Sequence, residues 1–307
     1  MFAKIIQEFR QDIKEICQPV THVPKRVLGW YTNYRLSARL KKHLAKSPEG
    51  QTQLAYLKKH KIKIESDATI PGQGRYQVAM QDFKDGKPVW SEGKIMFNLD
   101  AVDAENDSAL AAIFYHEIWH IRQYYGGVGS IPADAPVEDY CWWERSIEAD
   151  AQSFATEICY RLKLSGDDAS WLYYRENENL GPMCLAFEAA CQKDPKALEQ
   201  GTARRQAFNA WFKSEFLKDH YDACAVRNYQ TNRKRLEQIP DFDLPKRHLT
   251  FLDVEKLGTL ATVNYLKLPE FKNLAAKKYR GNMGPETKEE IQHLKQMEKN
   301  TLLHPKR

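Results

Sequence analysis

The most constraining feature of this chain is the H-E-x-x-H pentapeptide of residues 116–120, which lies inside an apolar run. Residues four apart lie about one turn apart on the same face of a helix. His116 and His120 are therefore placed to bind one metal ion, and Glu117 lies beside the first of them. Two neutral imidazoles suit Zn²⁺, and a neighbouring carboxylate can take a proton from water. The spacing predicts a hydrolase site with Zn²⁺ as cofactor and Glu117 as base.

The sequence around the motif independently predicts a helix. Residues 106–108 (Asn-Asp-Ser) offer an N-cap, for which we expect Asp107, and the Gly-Gly pair at 126–127 offers a C-terminal stop. Apolar side chains flank both histidines, so we expect a largely buried helix. Two histidines and a glutamate on such a helix are costly unless they are paired or bind a metal ion. The context therefore favours a metal site over two incidental histidines.

A catalytic zinc site usually has a third protein ligand. The three-histidine pattern H-E-x-x-H-x-x-G-x-x-H is excluded, because Gln123 and Gly126 stand where its glycine and third histidine would be. The remaining option is a glutamate on a following helix. Residues 142–155 are acidic, rich in small side chains and compatible with a helix, and Glu144 and Glu148 share one of its faces. The small residues would let this helix approach the histidine helix closely.

The segment E-A-D-A-Q-S-F-A at 148–155 resembles the E-x-x-A-N-x-F-A segment of ImmA/IrrE-type metallopeptidases and, more loosely, the glutamate helix of other gluzincins. In those proteins the first glutamate of the segment is the third zinc ligand, which implies Glu148 here. Gln152 replaces the usual asparagine, and the resemblance covers residues 90–160. Glu144, one turn earlier, is the alternative, either as a ligand or as a group that orients a histidine.

The reaction predicts further site residues, because a developing oxyanion needs a donor besides the metal ion. Gluzincins often recruit a Tyr or His from a C-terminal helix, so the resemblance favours Tyr221 and His220 as catalytic residues. Asp150 is either a surface charge or an acceptor for a histidine Nδ1–H group. The other candidates for the oxyanion donor are Tyr115, Tyr124, Arg227 and Tyr229.

Hydrophobic periodicity predicts an α+β fold. Apolar residues alternate with polar ones at 61–64 and again at 76–80, and Asp-Gly at 85–86 signals a hairpin before a strand at 94–99. We therefore expect a mostly helical chain with a small, mainly antiparallel sheet of three or four strands before the metal helix, an order that resembles the zincin arrangement and implies a zincin-like fold. The resemblance implies that residues 95–99 form the edge strand beside the cleft, and the alternative is a core strand without substrate contact.

The same pattern divides the chain into three segments. We expect an N-terminal helical segment at 1–60, a zincin-like metallopeptidase domain at 61–235, and a linker with a helical extension at 236–307. The first segment should begin with a helix at 2–16, and the linker should include the proline-bounded stretch 240–245.

Charge is distributed unevenly along the chain. The net charge is +5, yet residues 101–200 carry 18 acidic and only 7 basic side chains. Acidic surroundings suit a cation and would attract basic parts of a protein or peptide substrate. The basic runs at 39–42, 58–61 and 233–235 lack interleaved glycine and aromatic residues, so solvated helix faces explain them better than nucleic acid does.

Cysteine usage and the N-terminus predict the compartment. Six cysteines without a C-x-x-C pair indicate scattered thiols in a reducing environment. The first ten residues lack the apolar core of a Sec signal peptide, and no stretch approaches the roughly 20 apolar residues that span a bilayer. We therefore expect a cytoplasmic protein without a transmembrane segment, with non-classical secretion left open. The oligomeric state does not follow from the sequence.

These features together predict a zinc-dependent metallopeptidase. One alternative is a narrow-specificity regulatory protease or a secreted effector or toxin, since ImmA/IrrE-type proteins are regulators that cleave repressors. Another is a non-catalytic metal-binding protein. The intact Glu117 argues against the last alternative, because a degenerate site does not need the base.

Overall fold

The computed structural model describes residues 25–70, 72–78, 81–84, 87–90, 92–102, 106–129, 135–236, 248–268, 274 and 276–303. The helix expected at 2–16 and the linker expected at 240–245 lie outside the described residues.

Helices dominate the described chain. In order they are α1 (Lys25–Leu44), α2 (Pro48–His60), α3 (Asp107–Tyr125), α4 (Val137–Leu164), α5 (Ala169–Glu176), α6 (Gly181–Lys193), α7 (Thr202–Trp211), α8 (Glu215–Leu236), α9 (Phe251–Glu255), α10 (Lys277–Arg280) and α11 (Pro285–Leu303). The strands are β1 (Lys63–Ser66), β2 (Gly74–Gln77), β3 (Gln81–Lys84), β4 (Lys87–Trp90) and β5 (Lys94–Phe97). A mostly helical chain with a small sheet is consistent with the α+β class.

Three strands form a mixed sheet in the order β1-β5-β2. β5 pairs parallel with β1 and antiparallel with β2, whereas β3 and β4 form a separate antiparallel hairpin. The sheet is therefore mixed rather than mainly antiparallel, and the expectation that residues 95–99 form the edge strand is wrong. In sequence, the β3-β4 hairpin lies between β2 and β5. β5 then pairs with both β1 and β2, so it is the central strand, and its Ile95 and Phe97 are fully buried.

α3, which carries the H-E-x-x-H motif, is a buried helix as predicted, because every residue from 109 to 121 is buried. Its N-cap is Asn106, whose side chain accepts a hydrogen bond from the Ala109 amide at 3.0 Å. The expected cap, Asp107, instead accepts from Arg39 of α1 at 2.8 Å. Both residues carry a short acceptor, and the nearby guanidinium decides which of them caps the helix.

α4 is the longest helix and packs against α3, α7 and α8. Ala149, Ala151 and Ala155 are fully buried on it, in line with the expected close approach of α3. The main hydrophobic core runs from Leu36 on α1 to Tyr279 on α10 and draws on residues of all three predicted segments. The division into those segments stays a prediction.

Buried polar contacts tie the C-terminal part of the chain to α4. Arg145 is fully buried, pairs with Asp222 of α8, and donates to the carbonyl oxygen of Gly281 at 2.7 Å. Asp139, near the start of α4, accepts from the Leu249 amide at 2.7 Å. Removing one partner of such a buried ion pair costs about 3–5 kcal/mol, because the other charge is left uncompensated.

Two further observations concern the environment of the protein. All the cysteines that the structure describes are free thiols, and three of them, Cys141, Cys159 and Cys184, are buried. Within the described ranges, none of the helices combines the length and the hydrophobicity that crossing a bilayer requires.

Candidate metal centre

Three buried side chains from α3 and α4 converge on one point. The Nε2 atoms of His116 and His120 lie 3.0 Å apart. The two carboxylate oxygens of Glu148 lie 3.3 Å from His116 Nε2 and 3.4 Å from His120 Nε2. All three residues are 9% exposed or less. The structure therefore brings together the two histidines of the motif and the glutamate that the resemblance implies.

The donor set and its spacing fit a metal ion. Ligand atoms about 2.0 Å from Zn²⁺ at tetrahedral angles lie about 3.3 Å from one another. In this cluster the two Nε2 atoms lie 3.0 Å apart and each lies 3.3 or 3.4 Å from a different oxygen of Glu148, and one ligand atom from each of the three residues lies within 4.8 Å of the others. The Oε2 atom of Glu148 is buried and has no hydrogen-bond partner among the described residues. Two imidazoles and one carboxylate are suitable donors for Zn²⁺ and related divalent ions.

Electrostatic coupling within the cluster favours a charged carboxylate. Burial opposes the protonation of His120, but the charge of Glu148 and its hydrogen bond outweigh burial and raise the pKa of His120 to about 9. Burial likewise opposes ionisation of Glu148, but the two histidines hold the pKa of that carboxyl well below its usual range. A metal ion that binds here therefore competes with a proton on His120.

Glu117 lies in a slot between α3 and strand β2. A Cβ atom on Gly74 of β2 would lie 2.9 Å from Glu117 Oε1 and 2.6 Å from Ile113 Cγ2, so only glycine leaves room for this carboxylate. The backbone N–H of Tyr76 donates a hydrogen bond to Glu117. Burial raises the pKa of Glu117, and the two histidines oppose that rise. Strand β2 therefore helps to set the position of the predicted base, whereas burial is the main cause of its raised pKa.

Tyr76 of β2 forms a wall of the site that sequence reasoning missed. Its ring stacks on the His120 imidazole, with the centroids 4.9 Å apart and the planes 21° apart. Burial and the neighbouring carboxylates of Glu144, Glu148 and Glu117 raise its pKa. Alternation placed this tyrosine on a strand, but only the packing of β2 on α3 puts it over a histidine.

Glu144, the alternative ligand, lies near the cluster but not within it. The group of side chains that could hold a metal ion comprises His116, His120 and Glu148, and Glu144 is not a member. Burial, followed by the charge of Glu148, raises the pKa of Glu144 to about 7. This side chain is therefore a second carboxyl beside the cluster, with a weaker tendency to ionise than an exposed glutamate.

The two predicted catalytic residues on α8 have different surroundings. The Tyr221 hydroxyl interacts with Glu148, and burial and that carboxylate raise the pKa of Tyr221 well above its usual value. His220 is exposed and contacts Phe216, Tyr221 and Cys224. The structure brings Tyr221 to the cluster and leaves His220 outside it, because adjacent helical residues point about 100° apart.

The remaining oxyanion candidates lie elsewhere. Tyr115 is fully buried, beside Ser47. Tyr124 is 41% exposed at the end of α3. Tyr229 packs on Tyr140 in a separate small core. Arg227 is exposed and donates a hydrogen bond to the Cys224 sulfur.

A polar network lies behind His120. Its Nδ1 atom lies 2.8 Å from Oε1 of Gln123, and the amide nitrogen of Gln123 donates to Asp150 Oδ2 at 2.8 Å. Asp150 is fully buried, so its interpretation as a surface charge is wrong. It contacts the histidine only through Gln123. The i to i+3 spacing of His120 and Gln123 can be read from the sequence, because residues three apart are neighbours on a helix. The contact between Gln123 and Asp150 of α4 is a tertiary contact and cannot be read in this way.

The site is a candidate metal centre, because two imidazoles and a carboxylate are placed to hold a metal ion. A second buried glutamate, Glu117, lies beside them, and hydrolases use centres of this kind. A family model described as "Putative metallopeptidase family (DUF6782)" matches residues 89–264. The match spans more than half of the chain, and the chain belongs to this family. No curated protein and no solved structure gave a match. The family description indicates a metallopeptidase and hence a hydrolase.

Proposed function

We propose that this protein is a zinc-dependent metallopeptidase of the gluzincin type, in which His116, His120 and Glu148 hold Zn²⁺ and Glu117 is the general base. One observation carries the proposal: the three donors lie 3.0–3.4 Å apart in a buried cluster, and Glu117 follows the first donor on the same helix. The family match and the resemblance to ImmA/IrrE-type proteins support it.

In the proposed reaction, the metal ion and the residues around it have different roles. Bound Zn²⁺ supplies Lewis acidity and lowers the pKa of water. Glu117 accepts a proton from the attacking water and delivers it to the leaving amine, and its raised pKa makes it a stronger base. The Tyr76 amide and the space beside Gly74 hold the Glu117 carboxylate in place. Tyr221 is the donor that we assign to the developing oxyanion.

The proposed substrate is an extended peptide. Among the described strands, β2 pairs on one side only, with β5, and it lies against the helix that carries Glu117. A free strand edge binds an extended peptide through main-chain hydrogen bonds. The excess of acidic residues between 101 and 200 favours basic peptides. A regulatory protease with a single partner would use the same chemistry, and a peptide library distinguishes it from a protease of broad specificity.

The first test compares wild type with Glu117→Gln. We expect about one Zn²⁺ per chain in both proteins by elemental analysis. We expect cleavage of a random peptide library to be slower in the variant by about 10²–10⁴-fold, the usual contribution of a general base. Wild-type protein that binds no metal ion would refute the proposal, and so would undiminished cleavage by Glu117→Gln.

A matched pair of variants on α4 tests the third ligand. Glu148→Gln should weaken Zn²⁺ binding by more than the roughly 10–100-fold that follows loss of a group that only orients a ligand. Glu144→Gln, one turn away, should retain the metal ion. The opposite result would exchange the roles of the two glutamates.

A further inference from the structure

Gln123 contacts both His120 and the buried carboxylate of Asp150. It is 1% exposed, and each of its polar atoms has a partner. Oε1 lies 2.8 Å from His120 Nδ1. Nε2 lies 2.8 Å from Asp150 Oδ2 and 3.1 Å from the carbonyl oxygen of Ile147.

The partners of the amide nitrogen determine the orientation of the Gln123 side chain. A carbonyl oxygen and a carboxylate oxygen both accept hydrogen bonds, so the group between them must be the NH₂. The carbonyl oxygen of Gln123 then faces His120 and can only accept. Nδ1 of His120 must therefore carry the proton, which leaves the lone pair of the neutral ring on Nε2, the atom that faces His116 and Glu148.

Asp150 is itself held in place from several sides. Its Oδ2 atom accepts from the Trp119 indole at 2.6 Å as well as from Gln123. Its Oδ1 atom accepts from Arg204 at 2.8 Å and from the Tyr265 hydroxyl at 2.5 Å. A carboxylate with four donors cannot rotate without breaking several buried hydrogen bonds, so it presents a fixed acceptor to the Gln123 amide.

We propose that Gln123, oriented by Asp150, is a positioning residue that locks His120 in the tautomer that presents Nε2 to the metal ion. The inference rests on the proposed function, because it assumes that His120 is a ligand. It applies to one histidine only, since Nδ1 of His116 is buried without a hydrogen-bond partner among the described residues. Loss of Gln123 would free the His120 ring to change its tautomer and to rotate, so that metal binding would have to reorder it.

The test measures Zn²⁺ dissociation constants with a competing chelator for wild type, Gln123→Met, Gln123→Glu and Gln53→Met. Methionine preserves the length of the side chain without its amide. Gln123→Glu keeps the length of the side chain and an oxygen that can accept from His120 Nδ1. Gln53 on α2 is the matched control, since it is 3% exposed and is not among the described side chains that could hold the metal ion.

We expect Gln123→Met to weaken Zn²⁺ binding by about 10–100-fold, and Gln123→Glu and Gln53→Met to stay within a few-fold of wild type. Proton NMR of the zinc-loaded proteins supplies a second measurement. An exchange-protected imidazole N–H signal of His120 should be present in wild type and absent in Gln123→Met.

Thermal unfolding of the metal-free proteins identifies a merely structural role. Gln123→Met with lowered stability but wild-type Zn²⁺ affinity and an unchanged N–H signal would overturn the proposal. Equal weakening by Gln53→Met would also overturn it. Failure of the proposed function is a distinct result, because wild type itself would then bind no Zn²⁺.

Discussion

Replacing Gly74 by alanine tests whether strand β2 positions the catalytic base. The added methyl group would lie 2.6 Å from Ile113 Cγ2 and 2.9 Å from Glu117 Oε1, closer than carbon approaches either atom in ordinary contact. Overpacking of this kind costs about 1–3 kcal/mol. The φ angle of Gly74 is not positive, so alanine also stabilises by about 0.4–1 kcal/mol through restriction of the unfolded chain. At the middle of both ranges overpacking is the larger effect, and the two terms give a net loss of about 1 kcal/mol, between limits of about 0 and 2.6 kcal/mol.

The effect on catalysis should exceed the effect on stability. Relief of the clash requires the Glu117 carboxylate or strand β2 to shift by several tenths of an ångström. A misplacement of about 1 Å can slow a reaction by about 10²-fold, so we expect turnover to fall by at least about tenfold. Zn²⁺ affinity should stay near that of wild type, because the three atoms nearest to the added methyl group belong to Ile113 and Glu117 and not to the three ligands.

The assay combines urea unfolding of the metal-free protein with Zn²⁺ titration and cleavage of the library peptide that wild type cuts fastest. Gly72→Ala is the control. Gly72 has φ +80° and open space around its missing Cβ, so alanine strains the backbone by about 1–2 kcal/mol without touching Glu117. Similar destabilisation in both variants, with slower cleavage in Gly74→Ala alone, is the expected result. Wild-type turnover in Gly74→Ala would refute the reasoning.

Two other predictions concern protons and the oxyanion. Because the pKa of His120 is about 9 without metal and only the neutral ring binds Zn²⁺, the affinity should rise by about tenfold per pH unit between pH 6 and pH 8. Calorimetry in buffers of different ionisation enthalpy would measure the released proton, and a pH-independent affinity would contradict this coupling. Tyr221→Phe should lower kcat by about 10²–10³-fold with full metal content, whereas His220→Ala, on the neighbouring exposed residue, should leave kcat unchanged. Equal kcat values for the two variants would remove Tyr221 from the mechanism.

Local spacing accounts for the part of the site that was predictable from sequence. The placement of His116 and His120 depends only on helical geometry, and that of Glu117 follows from its neighbours in the chain. Glu148 was implied by a resemblance in a short segment, and its approach to the histidines depends on the fully buried Ala149 and Ala151 beside it. Its role as a ligand stays a proposal.

The residues that sequence reasoning missed reach the site through tertiary contacts. Gly74 and Tyr76 belong to a strand whose alternation is evident, but the pattern does not say that β2 rather than β5 lies at the edge of the sheet. In the sequence, Gln123 helps only to exclude the three-histidine pattern, because it stands where that pattern has glycine. The partners of its amide, Ile147 and Asp150, lie on α4 and are tertiary contacts. The choice between Asn106 and Asp107 as the cap of α3 likewise depended on Arg39, which is distant in sequence.

The contacts of Arg145 bear on where the chain can be shortened. The family match ends at residue 264, yet this buried guanidinium donates to the carbonyl oxygens of Tyr279 and Gly281, beyond that limit. A recombinant fragment that stops at residue 264 would lack both of these carbonyl acceptors. The buried guanidinium of Arg145 would lose two hydrogen bonds, one turn away from Glu148 on the same helix. Fragments for biochemical work should therefore extend past Gly281, because the packed unit is longer than the segment that the family model matches.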